Sequence, residues 1–319
     1  MRFLVTGGAG FIGSEVVKKL VLAGHKVVVV DVLTYAGDTL RLAAVEESIN
    51  FIKADICDYD LMKFIFTNNK IDVCINLAAH THVDRSLSQD APFLQSNING
   101  VQVLLALLKE RFFNSLVQVS TDEVYGEGHD TSLFTEGDPF NPSSPYAASK
   151  ASAELLIQAY RRSFGLDARV IRMCNIYGPF QHPEKLIPRV LTCFMQDIPV
   201  TLYGLGSQQR EWMYVEDAAR VIIKLATDGK DGDIYNAGSG ETIVNLALVQ
   251  YLAYCLDKPT QLIKFGTDRP GHDFQYGIDS SRIAGELGFA SEFNFEKGIE
   301  ETLVWYKKNL SWASSKLIG

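Results

Sequence analysis

A short apolar strand, Phe3–Thr6, runs directly into Gly7-Gly8-Ala9-Gly10-Phe11-Ile12-Gly13 and then into an amphipathic helix ending near Ala23. A glycine-rich turn from strand to helix lets the backbone approach a pyrophosphate, which the free N–H groups and positive end of the helix can hold. A plain tight turn has the same local appearance, so the surroundings decide its meaning. Here the next strand, Lys26–Val30, ends in Asp31, 24 residues after Gly7. That spacing suits a carboxylate bonding the ribose hydroxyls of adenosine, and such a carboxylate repels a 2′-phosphate. The pattern predicts a dinucleotide site preferring NAD to NADP, with Gly7, Gly10, Gly13 and Asp31 on the cofactor.

The alternation continues. Asn50–Ala54 reads as a strand ending at Asp55, followed by a helix over Asp58–Asn68. Asp72–Leu77 is a strand ending in Ala78-Ala79, with a helix over Pro92–Lys109 after it. Then come an apolar strand at Ser115–Ser120, a polar loop, a helix from Pro145 to about Phe164 and a strand at Ala168–Met173. Strand–helix repetition at this spacing means parallel strands with helices on both faces, and ligands at the carboxyl ends of the strands. Asp31, Asp55, Ala78, Thr121 and Asn175 fall at such ends and should converge on one crevice.

After Asn175 the texture changes. Tyr177-Gly178-Pro179 breaks the pattern, and the run from His182 to Pro188 leads into a helix. Val200–Tyr203, Glu211–Val215 and Gln261–Phe265 read as short strands, with helices at 216–227, 245–256 and 295–309. The expectation is a dinucleotide-binding domain over 1–175 and a smaller lobe over 176–319, some of whose segments return to the main sheet.

Ser144-Pro145-Tyr146-Ala147-Ala148-Ser149-Lys150 reads as a helix start, with Ser144 as N-cap and Pro145 at the first helical position. Tyr146 and Lys150, four apart, share a face. A tyrosine of ordinary pKa, about 10, is a poor base at neutral pH. A nearby cation, the positive helix end and a charged cofactor all favour the tyrosinate, which makes Tyr146 a candidate base for an alcohol proton. Any helix with a tyrosine and a surface lysine supplies the spacing, so context carries the argument.

With 47% hydrophobic and 21% charged residues over 319 positions, the chain has the composition of an ordinary soluble protein of one large domain, or a domain plus a smaller lobe. A formal charge of −8 disfavours a nucleic-acid surface, so an anionic ligand needs a local cationic pocket. Met1-Arg2 leads straight into a strand, and no apolar run approaches membrane-spanning length. Cys57, Cys74, Cys174, Cys193 and Cys255 are scattered without a C-x-x-C pair. Reduced core thiols in the cytoplasm are expected, with no metal and no membrane partner.

TGGAGFIGS (6–14), STDEVYG (120–126) and YAASK (146–150) resemble the extended short-chain dehydrogenases. HVDRS (82–86), NIYGP (175–179), PEKLIP (183–188), YVED (214–217) and DRPGHD (268–273) narrow this resemblance to the dTDP-glucose 4,6-dehydratases and their nucleotide-sugar relatives, as far as about Asp279. The resemblance implies a Rossmann-like α/β fold, a doubly wound parallel sheet with a smaller C-terminal lobe that binds the nucleotide-sugar. Separately, the helices beginning near Pro92 and Pro145 are richer in apolar residues than solvated faces require, which predicts a homodimer packed through them.

The family's chemistry, carried onto these residues, implies that Tyr146, supported by Lys150, takes the proton of the sugar 4-hydroxyl while the C4 hydride passes to NAD. Thr121 would bond the same oxygen. The 4-ketone acidifies the C5 hydrogen, which Glu123 removes, and Asp122 protonates the departing 6-hydroxyl. The hydride then returns to C6 and a proton to C5, giving a 4-keto-6-deoxy sugar. An acid and a base acting together need environments that push their pKa values apart; an isolated Asp-Glu pair after a strand is more often solvated or caps a turn.

Further cofactor contacts implied are Phe11, Ile12, Leu33, Thr34, Asp55 and Ile56, then Leu77, Ala78, Ala79 and Ser96. On the substrate the resemblance implies Thr81, Asn175, Lys185, Leu186 and Tyr203, then Arg210, Asn245, Arg269 and His272. Arginine suits phosphate by its fork geometry. Several positions depart from the family pattern. His80-Thr81 replaces Glu-Ser, Ile176 replaces a second Asn, and Val32 replaces a lysine, while Arg189 and Gln181-His182 flank the nucleotide segment. A 4-epimerase, a nucleotide-linked uronic acid decarboxylase and a non-enzymatic dinucleotide sensor are the alternatives. Asp122 disfavours both enzymes, and the intact Tyr-Lys and Thr-Asp-Glu sets disfavour the sensor.

Overall fold

The computed structural model describes residues 1–128 and 132–317; the expected polar loop before Ser144 therefore lies partly outside the described residues. Twelve strands are present among them: β1 (Arg2–Thr6), β2 (Lys26–Asp31), β3 (Ile49–Lys53), β4 (Val73–Asn76), β5 (Ser115–Thr121), β6 (Ala168–Met173), β7 (Asn175–Tyr177), β8 (Val200–Tyr203), β9 (Gln209–Tyr214), β10 (Ile234–Ala237), β11 (Thr242–Val244) and β12 (Ile263–Gly266). Seven form one parallel sheet in the order β10-β6-β5-β4-β1-β2-β3. The doubly wound α/β expectation is borne out. The order reverses between β1 and β4, and a ligand crevice opens at such a switch point.

The strands read most easily are those buried on both faces. Every residue of β4, β5 and β6 is buried, so their apolar residues do not alternate cleanly with polar ones as in a half-exposed strand. Two separate cores cover the sheet. One packs Val16, Val17 and Leu20 of helix Phe11–Leu22 with Val221, Ile222 and Leu225 of helix Val215–Asp228; the other packs Leu104, Leu105 and Leu108 with Ile157.

Some elements differ from the sequence reading. The helix expected over Pro92–Lys109 begins at Ala91 and contains a π-helical turn, Gln95–Asn99, before the α-helix Gly100–Lys109. That turn carries the buried Asn97, which donates to the Ser149 hydroxyl at 2.9 Å and to the His80 carbonyl at 3.1 Å and accepts from the His80 amide at 2.9 Å. It ties the loop after β4 to the helix bearing Tyr146, as π-turns near functional sites often do. Thr39–Ser48 forms a 3-10 segment capped by Asp38. Beyond residue 175, β10 pairs with β6 in the main sheet, while β7, β9 and β11 form a small sheet and β8 pairs with β12. No helix among the described residues is long and apolar enough to cross a membrane.

Candidate active site

Helix Pro145–Phe164 starts as its sequence dictates. The Ser144 hydroxyl accepts from the Ala147 amide at 3.1 Å, Pro145 occupies the first turn, and Gly165 closes the helix at φ 62°. Tyr146 and Lys150 are both buried, at 8% and 5% exposure. No hydrogen bond joins them; Lys150 Nζ instead donates to the Val119 carbonyl of β5 at 2.6 Å. Burial, then the charges of Glu123 and Asp122, push the Tyr146 phenol above its ordinary value, and only the Thr121 hydroxyl opposes them. The acidified tyrosine expected from the spacing is therefore not produced by the chain's own groups. Burial brings Lys150 down to about 8 against the opposing pull of Glu154.

Strand β5 ends at Thr121, whose hydroxyl accepts from the Glu123 amide at 3.3 Å and caps the 3-10 turn Asp122–Tyr125. The two carboxyls of that turn have different surroundings. Asp122 is 2% exposed, takes a hydrogen bond from Thr121 at 3.1 Å through one oxygen, and has no partner for the other. Burial, then the charges of Glu123 and Glu211, push it well above the usual carboxylate range. Burial also raises Glu123, but Arg210, Arg269 and Lys185 pull the other way. Asp122 is thus biased to the acid form, and Glu123 has three cations favouring its carboxylate.

A cavity of about 540 Å³ opens at the carboxyl ends of these strands. Among the described residues, six buried side-chain polar atoms have no hydrogen-bond partner. Five belong to residues lining this cavity: Gln181 Oε1, Glu184 Oε2, Trp212 Nε1, Asn245 Oδ1 and Arg269 Nε. Buried polar groups are ordinarily paired, so this concentration marks a wall shaped for a polar ligand. Most of the cations in the wall are held in place. Arg210 donates to the carbonyls of Gln209, Asp273 and Phe274 at 2.7–3.1 Å, Lys185 to that of Thr81 at 2.8 Å, and His272 meets Asp268 at 2.6 Å. Asp84 joins Tyr203, at 2.7 Å, to Arg269, at 3.4 Å.

The glycine turn fits a dinucleotide. Gly7, Gly10, Phe11, Ile12 and Gly13 line the cavity, and helix Phe11–Leu22 has neither a side-chain cap nor an acidic residue in its first turn. Its first N–H groups therefore remain available to an anion. A Cβ on Gly13 would meet the Gly7 carbonyl oxygen at 2.2 Å, so only glycine allows this turn.

The cavity also gathers Leu77, Ala79, Thr81, Thr121, Asn175, Leu186 and Tyr203 from the expected set. Seven expected cofactor residues lie outside its wall. Asp31 accepts from the amides of Ala9 at 3.0 Å and Leu33 at 2.8 Å, and Leu33 adopts φ 58°. Thr34 is exposed in the following turn, Asp55 is exposed and accepts from the Cys57 amide, and Ile56 is core. Ala78 donates from its backbone to Thr6, and Ser96 is half-buried in the π-turn. Asp122 is likewise not among the lining residues; it is buried between the lining residues Thr121 and Glu123 with its Oδ2 unpartnered.

Sequence reasoning missed Arg41, Asp84, Trp212 and Tyr276, all in the wall. Asp84 stood within the HVDRS motif; nothing local marks Trp212 or Tyr276. Arg41 is 2% exposed and donates to the carbonyls of Ala9, Ala36 and Phe180, stitching the glycine turn to the second half of the chain.

Residues 3–238 match the sequence model of the NAD dependent epimerase/dehydratase family. The chain belongs to this family. A dTDP-glucose 4,6-dehydratase of Streptomyces griseus is 44% identical over 317 residues, covering 98% of this chain and 95% of that protein. The crystal structure of DesIV, a dTDP-glucose 4,6-dehydratase from Streptomyces venezuelae with NAD bound, superposes with TM-score 0.96 at 40% identity, over 99% of this chain and 100% of that one. A UDP-glucose 4-epimerase from Thermotoga maritima with UDP-glucose shares the fold at TM-score 0.91 and 30% identity, covering 97% of this chain and 100% of that chain.

Proposed function

We propose that the protein is an NAD-dependent nucleotide-sugar 4,6-dehydratase, a hydro-lyase converting dTDP-glucose to the 4-keto-6-deoxy sugar. The observation that carries this reading is the Asp122-Glu123 pair, one carboxyl biased to its acid form and the other flanked by cations, beside Tyr146 and Lys150. A 4-epimerase has no use for that pair. Relatives bearing the dTDP-glucose 4,6-dehydratase name at 40–44% identity support the same assignment.

Bound NAD supplies the electron acceptor for C4 and the source of the same electrons for C6. Tyr146 accepts the proton of the 4-hydroxyl, and Thr121 bonds that oxygen. Lys150, fixed on Val119, holds positive charge beneath the site. Glu123 removes the C5 proton, acidified by the adjacent ketone, while Asp122 gives its proton to the 6-hydroxyl, which leaves as water. Arg210, Arg269, Lys185 and His272 hold the diphosphate end, and Asp31 the adenosine ribose.

The finer parts of this reading are a two-part chain, with NAD on 1–175 and mainly the nucleotide-sugar on 176–319, working as a cytoplasmic homodimer. Incubation with dTDP-glucose tests the activity. The expected product is lighter by one water, with no net loss of NAD. Stoichiometric consumption of NAD, or an isomer of unchanged mass, overturns the dehydratase assignment.

A further inference from the structure

The segment Ser120–Tyr125 carries Thr121, Asp122 and Glu123, and a single buried ion pair grips it at both ends. Glu154, on the helix that bears Tyr146 two turns earlier, is 0% exposed, and Arg172 of β6 is 1% exposed. Arg172 donates to Glu154 Oε2 through Nε at 2.9 Å and Nη2 at 2.8 Å. The other carboxylate oxygen of Glu154 accepts from the Ser120 hydroxyl at 2.5 Å. The remaining Arg172 nitrogen, Nη1, donates to the Tyr125 hydroxyl at 2.5 Å, which donates in turn to Asn236 Oδ1 of β10 at 2.7 Å. The Tyr125 ring stacks on Phe134 at 4.9 Å, so removing its hydroxyl leaves the packing in place.

We propose that Glu154 and Arg172 are positioning residues, a buried clamp that sets Asp122 and Glu123 against the Tyr146 helix for the elimination step. The proposal rests on the dehydratase reading of the site. A buried ion pair is a weak source of stability compared with apolar packing, and its best-attested use is to specify one arrangement. Here it specifies where the turn sits. Both oxygens of Glu154 and all three nitrogens of Arg172 are engaged; Ser120 and Tyr125, the partners at the two ends of the pair, bracket Thr121, Asp122 and Glu123, and Arg172 Nη1 also donates to the Glu136 carbonyl at 3.2 Å. The turn's backbone is otherwise secured at its end by the amides of Gly126 and Asn141, which donate to the carbonyls of Glu123 and Val124. The groups of the oxidation step have further anchors of their own: Thr121 pairs with Met173 in the β5–β6 ladder, the Tyr146 amide donates to the Ser86 hydroxyl at 3.3 Å, and Lys150 is fixed on Val119, so loosening the clamp at Ser120 or Tyr125 bears chiefly on Asp122 and Glu123.

The two steps should therefore separate when the clamp is loosened. Truncating Glu154 would strand the Arg172 guanidinium in the core, so the variants are Tyr125→Phe and Ser120→Ala, each removing one hydroxyl. In single-turnover experiments with dTDP-glucose, reduced cofactor should form within about twofold of the wild-type rate. Water loss and exchange of the C5 hydrogen with deuterated water should slow about 10–100-fold, as expected for a small misplacement of catalytic groups. Equal slowing of both steps, or no slowing of elimination, overturns the clamp. Amide hydrogen exchange of residues 120–126 in the unliganded variants tests it without any substrate. Faster exchange confined to that segment and its contacts supports the clamp, and exchange unchanged from wild type overturns it. A wild-type protein that leaves dTDP-glucose untouched would instead defeat the functional reading, with the exchange result still deciding the clamp.

Discussion

Lys150 Nζ donates to the carbonyl oxygen of Val119 at 2.6 Å, so the charge of the helix is anchored on the neighbouring strand instead of on Tyr146 four residues earlier. The arrangement holds a cation in a site that is 5% exposed. A pKa of about 8 against the ordinary 10.5 corresponds to about 3 kcal/mol of unfavourable charge burial at neutral pH. Replacing the ammonium by an apolar chain relieves that term and forfeits about 1 kcal/mol for the Val119 contact. Lys150→Met should thus be inactive yet about 2 kcal/mol more stable than wild type at pH 7 in urea unfolding. Between pH 8 and 10.5 the folded lysine is neutral while the unfolded one still binds its proton, so wild-type stability rises with pH and the difference should shrink across that window. A Lys150→Met variant less stable than wild type at pH 7 contradicts this.

Asp122 and Glu123 should be separable by their partial reactions. Asp122→Asn cannot protonate the leaving hydroxyl, so C4 oxidation should survive and reduced cofactor should build up on the enzyme. Glu123→Gln should suppress exchange of the C5 hydrogen. Tyr146→Phe should leave no reduced cofactor. Each loss should be about 10²–10⁴-fold, the usual contribution of a general acid or base. Wild-type turnover in both carboxyl variants would remove the assigned roles.

The pH dependence should report Glu123. Burial raises its pKa above the ordinary 4.5, and the base acts only when deprotonated, so kcat/KM should fall as the pH drops through a value above 4.5. Burial lowers His82 and His182, which also line the cavity, to about 4, so both are already neutral where Glu123 titrates. His182→Gln should leave the midpoint of the acidic limb in place. A midpoint that moves with His182 assigns the limb to the imidazole.

Which parts of this molecule its sequence reveals follows from what decides each feature. β1, β2, β4, β5, β6 and the helix cap at Ser144 are legible because burial and local hydrogen bonds fix them, while β3, with no buried residue, is legible only from its place in the alternation. β7 shows in the sequence only as a break in the pattern at Tyr177-Gly178-Pro179, since its strand character comes from pairing with β9, more than thirty residues away. The π-turn at Gln95–Asn99 is set by what Asn97 touches across the chain, and no periodicity announces that. At the site, Thr121, Glu123, Tyr146, Lys150 and Asn175 share one wall, whereas Asp31, Asp55 and Ala78, also at strand ends, lie outside it. Trp212 and Tyr276 enter the wall only through the folding of the second half, and the missing Tyr146–Lys150 hydrogen bond depends on where Val119 lies.

The dimer proposal makes its own prediction. Much of the apolar content of helix Gly100–Lys109 is covered within the chain, with Leu104, Leu105, Leu107 and Leu108 each at 0% exposure. Leu94 and Leu155, on the two helices expected at the interface, remain 47% and 54% exposed. The protein should sediment as a dimer at micromolar concentration, and Leu155→Glu should shift it toward monomer. A wild-type monomer at that concentration, or a dimer indifferent to the charge, argues against this interface.

The central claim is that C4 is oxidised, water leaves across C5 and C6, and the same hydrogen ends on C6. Incubating the enzyme with dTDP-glucose deuterated at C4 tests this most directly. The predicted product carries the deuterium in its C6 methyl group and a ketone at C4. Deuterium recovered at C4 of a sugar that has kept its 6-hydroxyl would contradict the account and place the protein among the epimerases.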